Sequence, residues 1–320
     1  MNPIAGLRGI GGPVLAILGM IGLAGCDALP ESPPPLLPGF AEYLPGLAQI
    51  VVEQDGERLE LRREGEQWFI VDAAWRVDRR LLQPLLLELA RARCDEPRTA
   101  DSTRFARIGV NWPPTPAVAV GAAFARPSGR LSMQIDGQER QVVIGHPHPH
   151  GGTFVRAEGM SHSCLTHARL RLPARVADWF DSRLWATPPS TPERVTIEDS
   201  GASPLVLRRH GEHYLADGQA MVFSPLADGL VAALLALRQQ GMRSVSTEPM
   251  ESVRVLRFDS PSGDSHVLAL RRDGVQTWAR VLAAPAGQDT GFEQREFLLT
   301  PDVADPLWAS RESLGAIPGR

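Results

Sequence analysis

Leu61-Arg62-Arg63-Glu64-Gly65-Glu66-Gln67-Trp68-Phe69 and Leu207-Arg208-Arg209-His210-Gly211-Glu212-His213-Tyr214-Leu215 are one pattern written twice, 146 positions apart. In each copy an alternating strand runs into a glycine and resumes behind an aromatic residue, which reads as a β-hairpin. Recurrence at a fixed offset points to two copies of one supersecondary unit. The same offset finds a helix in both. Asp78 to Arg93 carries Leu81, Leu82, Leu85, Leu86 and Leu89 at helical spacing, and Ser224 to Gln240 carries Leu226, Leu230, Leu234 and Leu237. Ser224 is placed to cap the second helix, with Pro225 at its first position and Gly241 as its stop. Pro84 lies within the first periodic run, so that helix is expected to begin near Gln83.

After each helix come alternating segments: Ala117 to Phe124, Leu131 to Ile135, Gln141 to Gly145 and Thr153 to Ala157, then Ser252 to Asp259, Ser265 to Arg271, Val275 to Leu282 and Arg295 to Leu299. Each copy closes on a short tryptophan-bearing stretch predicted helical, Pro173 to Leu184 and Pro301 to Ser310. Strand-rich units with segregated helices argue for an α+β fold with antiparallel sheets: two tandem repeats with one main helix each. The expected repeats span 46–187 and 188–320, joined at Thr187-Pro188-Pro189-Ser190-Thr191-Pro192.

The first residues carry an address. Arg8, an apolar run from Ile10 to Leu23, and then Leu23-Ala24-Gly25-Cys26 have the layout of a signal peptide over 1–25. The run falls short of the roughly 20 residues a bilayer span needs, although an uncleaved anchor helix is the competing reading. Leu23-Ala24-Gly25-Cys26 resembles the lipobox of bacterial lipoproteins, in which the cysteine thiol is acylated. Asp27 beside it resembles the signal for retention in the inner membrane; where that sorting rule differs, the outer membrane is the destination. Residues 26–45 hold Pro30, Pro33, Pro34, Pro35, Pro38 and Pro45 and read as an extended stalk. The expected location is the periplasmic face of the inner membrane.

Composition narrows the chemistry. The chain has 320 residues, 43% of them hydrophobic and 22% charged, with a net charge of -4, so there is no basic surplus for nucleic acid. All 33 basic residues are arginine. Without lysine there is neither P-loop phosphoryl transfer nor Schiff-base chemistry.

The run Ile50 to Trp68 with its following helix, Phe105 with Ile108-Gly109-Val110, Ile144-Gly145 before a turn and Thr153-Phe154-Val155-Arg156-Ala157, and closing Asp181-Ser182-Arg183-Leu184, together resemble the domain-of-unknown-function 4340 family. The likeness covers about residues 47 to 186, with a weaker second pass over 192 to 315. It implies a membrane-anchored, extracytoplasmic protein, some relatives of which accompany ABC-transporter components of the gliding-motility type. It implies no catalytic residues.

Five histidines, His146, His148, His150, His162 and His167, fall within one stretch that also holds Cys164. Imidazole and thiolate are ligands for Zn²⁺ or Cu, which makes His146, His148, His150 and His162 the candidate metal set. The prolines between the first three spread them around the strand axis, and an exposed polar turn is the plainer reading. Cys94 and Cys164 remain once Cys26 is acylated, either as a disulfide or as two buried thiols. His210-Gly211-Glu212-His213 lacks zincin spacing and belongs to a hairpin turn. No G-x-S-x-G elbow is present, and no G-x-G-x-x-G opens a helix after a strand. Trp68, Trp179, Trp185, Tyr214 and Trp308 are expected as core anchors. The expected function is therefore a lipid-anchored binding or accessory protein of an inner-membrane complex of the ABC-transporter type, without catalysis of its own or a required cofactor. A periplasmic metal-binding protein using His146 to His150 is the alternative, and a hydrolase a third.

Overall fold

The repeated segment forms the same hairpin twice. In the first copy β1 (Gln49–Gln54), β2 (Glu57–Glu64) and β3 (Gln67–Ile70) pair in succession. The turn from β2 to β3 begins at Gly65 with φ 61°, and the matching turn begins at Gly211 with φ 66°. Two-residue hairpins need this left-handed start because it matches strand twist. The side chains of Arg63 and Arg209 donate to the carbonyls of Gly65 and Gly211, both at 3.0 Å.

The computed structural model describes residues 32–113, 128–135, 137–217, 224–245, 253–285 and 292–314. The expected signal peptide, Cys26, Asp27 and the strand expected at Ala117 to Phe124 lie outside them. Among the described residues no helix is long and apolar enough to cross a membrane.

The first lobe adds β4 (Trp75–Arg76), β5 (Glu96–Pro97), β6 (Gly129–Ile135), β7 (Gln138–Pro147), β8 (Thr153–Ala157) and β9 (Cys164–Thr166), in sheet order β4-β3-β2-β1-β6-β7-β8-β9-β5. The second comprises β10 (Arg194–Asp199), β11 (Leu205–His210), β12 (His213–Ala216), β13 (Gln239–Ser244), β14 (Val253–Asp259), β15 (Ser265–Asp273), β16 (Gln276–Ala283) and β17 (Arg295–Leu299), in order β12-β11-β10-β14-β15-β16-β17-β13. Leaving out β4, the two orders are the same. In each lobe the strand after the main helix, β5 or β13, crosses to the far edge and pairs with the lobe's last strand. All pairings between these strands are antiparallel. Among the described residues five helices accompany the sheets: α1 (Phe40–Tyr43), α2 (Arg79–Arg91), α3 (Ser102–Phe105), α4 (Pro225–Leu235) and α5 (Pro301–Leu307). The expected α+β design thus holds in its coarse form, two antiparallel sheets with few helices.

Pro173 to Leu184, expected helical, holds a single 3-10 turn at Val176–Trp179, and three further expectations are corrected. First, α2 starts at Arg79 and runs through Pro84; the Asp78 side chain accepts from Arg80 N at 2.9 Å and secures the start. Pro84 sits on the exposed side, where water can take the carbonyl it leaves free. Second, α4 ends at Leu235, and Gln239 to Ser244 pair with β17 instead of prolonging the helix. Cross-strand pairing there overrides helical periodicity. Ser224 stands at the N-cap but makes no cap bond; its hydroxyl donates to the Ser313 carbonyl at 2.6 Å. Third, the segment read as a stalk over 26–45 folds before it ends. Leu36, Leu37 and Phe40 are buried in the first core, and Leu36 N donates to Ala92 O at 2.8 Å. Burying three large apolar side chains outweighs the polyproline preference of their neighbours.

Each lobe has its own core. Leu82, Leu85, Leu86 and Leu89 of α2 pack on Ile50, Val52, Leu61 and Leu131, while Leu230, Val231 and Leu234 of α4 pack on Val195, Leu256, Leu268 and Phe297. The lobes share a boundary. Trp75 belongs by sequence to the first repeat, yet it is buried in the second core against Phe292 and Phe297. Leu184 and Trp185 enter that core ahead of the proline-rich joint, with Leu184 N donating to Leu237 O at 3.0 Å and Gln239 N to Ser182 O at 2.7 Å.

The two glycine-bearing motifs meet. A Cβ on Gly145 would lie 2.3 Å from Ile108 O, and one on Gly109 would lie 2.7 Å from the His146 ring. Gly145 is therefore required by close backbone approach.

Candidate functional site

Beside the lobe boundary, α2, β3, β4 and residues 181–186 enclose a cleft of about 500 Å³. Its walls are of two kinds. Leu82, Leu86 and Val77 form the apolar side together with half-buried Trp68 and Leu44. Arg63, Arg76, Arg79 and Arg183 bring four guanidinium groups, against the two carboxylates of Glu66 and Asp181.

The register of β3 against β4, Phe69 opposite Arg76 and Ile70 opposite Trp75, puts Trp75 and Arg76 on opposite faces. Trp75 enters the second core and its indole N–H donates to Asp181 O at 2.9 Å. Arg76, 4% exposed, donates to the carbonyls of Arg183 and Leu184 and lies 3.5 Å from the Asp181 carboxylate. Asp181, 2% exposed, is also gripped by Arg183, whose Nη2 is 2.7 Å from Oδ2. One buried carboxylate thus holds two guanidinium groups. Burial pushes the Arg76 pKa down to about 10, against the upward pull of Asp181. Arg79 is exposed and donates to the neutral Gln83 amide at 2.9 Å.

Guanidinium groups remain charged donors, so they orient and neutralise anions and cannot act as general bases. Among the described residues the cleft's lining holds no Ser, Thr, Cys or His. Of its two carboxylates Asp181 is held as above, whereas Glu66 is largely exposed and lies 3.4 Å from Arg63.

The histidines expected as a metal set do not gather. The turn between β7 and β8 is closed by His148 N to Gly152 O and Gly151 N to His148 O, both 3.0 Å. His146 is half-buried against Gly109, and burial lowers its pKa. His148 meets Phe154 edge-on at 5.4 Å, and His150 is exposed with its ring centroid 5.5 Å from that of His148. His162 lies elsewhere, beside Cys94 and Cys164. Among the described residues these three form the one group of His, Cys or carboxylate side chains with ligand atoms all within 4.8 Å. The two cysteines are joined as a disulfide with Cα atoms 5.3 Å apart, so their sulfurs are not free thiolates. His210 and His213 pair across the exposed turn of the β11–β12 hairpin, and His213 Nδ1 is 2.8 Å from Asp228 Oδ2. Trp179, Trp185 and Tyr214 are buried, but Trp308 is half-buried, and so is Trp68, which lines the cleft.

Sequence reasoning missed the arginine cleft. Arg76 and Asp181 are distant in the chain, and nothing local marks them as partners. The available hint was Asp181-Ser182-Arg183 within the motif quoted above. Searches against family models, curated proteins and solved structures found no match to this chain.

Proposed function

We propose that this protein is a lipid-anchored, extracytoplasmic binding protein, held at the periplasmic face of the inner membrane through acylated Cys26 and acting as an accessory to a membrane complex of the ABC-transporter type, without turnover of its own. The single observation that carries the binding role is the cleft: a cavity of about 500 Å³ with arginine donors and an apolar wall. Sites of that size suit small molecules, whose typical range is roughly 300–1,000 Å³. The resemblance to the domain-of-unknown-function 4340 family belongs to this reading, as does the inference that the lobes are duplicated α+β units with one main helix each. Their common strand order supports the duplication.

The anchor is tested by the intact mass of the chain from the membrane fraction. A mature protein beginning at Cys26 and carrying diacylglycerol is expected; an unmodified full-length chain contradicts it. Stable attachment needs more than one acyl chain, since a single one binds reversibly.

A further inference from the structure

Arg79 and Arg183 line both the cleft and a second depression beside it, which Arg80 and Arg91 extend. A strip of guanidinium groups therefore borders an apolar wall. Asp181 and Asp78 are already committed, to Arg76 with Arg183 and to Arg80 respectively. Among the described residues Arg79 pairs with the neutral Gln83 amide and with no carboxylate, at the positive end of the 13-residue helix α2. On the apolar side Leu87 is 43% exposed at the lip, while Leu82 and Leu86 line the cleft below it. Bulk polyanions fit poorly, because the chain as a whole is acidic at -4 and the positive charge is local.

We propose that the cleft binds an anionic amphiphile, a phosphate or carboxylate headgroup on an apolar chain, with the headgroup on Arg79 and Arg183 and the chain along Leu82, Leu86 and Trp68. Planar guanidinium forks match both headgroups bidentately, which a lysine ammonium does not. The apolar wall supplies what a free inorganic anion cannot use. This assignment names the ligand class of the binding role proposed above and rests on it.

The test uses the full-length anchored chain in phosphatidylcholine nanodiscs. The probes are diazirine-bearing dodecyl phosphate, dodecanoate and dodecanol, with labelled residues located by mass spectrometry. Both anionic probes are expected to label β3 or α2, in competition with unmodified dodecyl phosphate but not with inorganic phosphate at the same concentration. The neutral alcohol should label at least tenfold less, and Arg79→Glu should reduce anionic labelling at least tenfold while leaving the unfolding midpoint unchanged. Equal labelling by the alcohol, labelling scattered over the surface, or labelling indifferent to Arg79→Glu would overturn the assignment. Phospholipid carried by the chain when it is extracted from native membranes without detergent would support a bilayer source, and its absence alongside positive labelling a soluble one. Capture of a membrane partner is scored separately: labelling without capture rejects the accessory role and keeps the site, and capture without labelling rejects the site alone.

Discussion

Asp181 is the residue on which the first lobe, the cleft and the lobe boundary converge. Its carboxylate faces Arg76 and Arg183, while its carbonyl accepts from Trp75 and from Gln239 Nε2 at 3.0 Å. Removing one member of a buried pair leaves the other charged and desolvated, so Asp181→Asn should cost about 3–5 kcal/mol. Urea unfolding checks this, and a loss within 0.5 kcal/mol would mean the pair is dispensable. A second buried group adds acid sensitivity. His266, 3% exposed, stacks on Phe258 at 4.7 Å and meets Trp185 edge-on. Burial lowers its pKa from 6.5, with Asp264 pulling the other way. The unfolded chain then takes up a proton that the native state refuses, so stability is lost as pH falls below 6.5, down to the depressed native value. His146 shifts in the same direction, and burial again is the cause. Thermal melts across that window should fall less steeply for His266→Phe than for wild type; identical slopes would remove His266 from the account.

The hairpins were legible because they rest on local chemistry: alternation, a glycine at the turn, an aromatic restart. Thr153–Ala157 and Arg295–Leu299 coincide with their expected limits for the same reason. The far-edge strands β5 and β13 were not legible. β5 has two residues and β13 follows a helical pattern, and both owe their state to a partner strand far along the chain. The cleft escaped for a related reason, since Arg76 and Asp181 become neighbours only when β4 and the 181–186 segment meet at the lobe boundary. At the β5–β9 edge the disulfide closes a separation of 70 residues. The chain-entropy view gives it about 4 kcal/mol. Cys94→Ala with Cys164→Ala should therefore lower the unfolding free energy by a comparable amount, and labelling of the denatured, unreduced wild type should find neither thiol. Two reactive thiols in periplasmically produced protein would show that the bond is absent.

At the scale of the molecule, the lobes are coupled through Trp75, which lends the second core an indole from the first repeat. Its removal should cost about 3–5 kcal/mol, the range for truncating a buried large aromatic residue. Wild type should melt in one calorimetric transition and Trp75→Ala at a lower temperature, whereas two transitions in wild type would show independent lobes. A tether raises the local concentration of a membrane partner, so a modest interface suffices for an accessory role. The most direct measurement is crosslinking in intact cells followed by affinity purification of the anchored chain. The account predicts recovery of a specific inner-membrane component, with a yield that falls when Cys26→Ser releases the chain. No specific partner, together with a reproducible hydrolase activity abolished by one substitution, would contradict it.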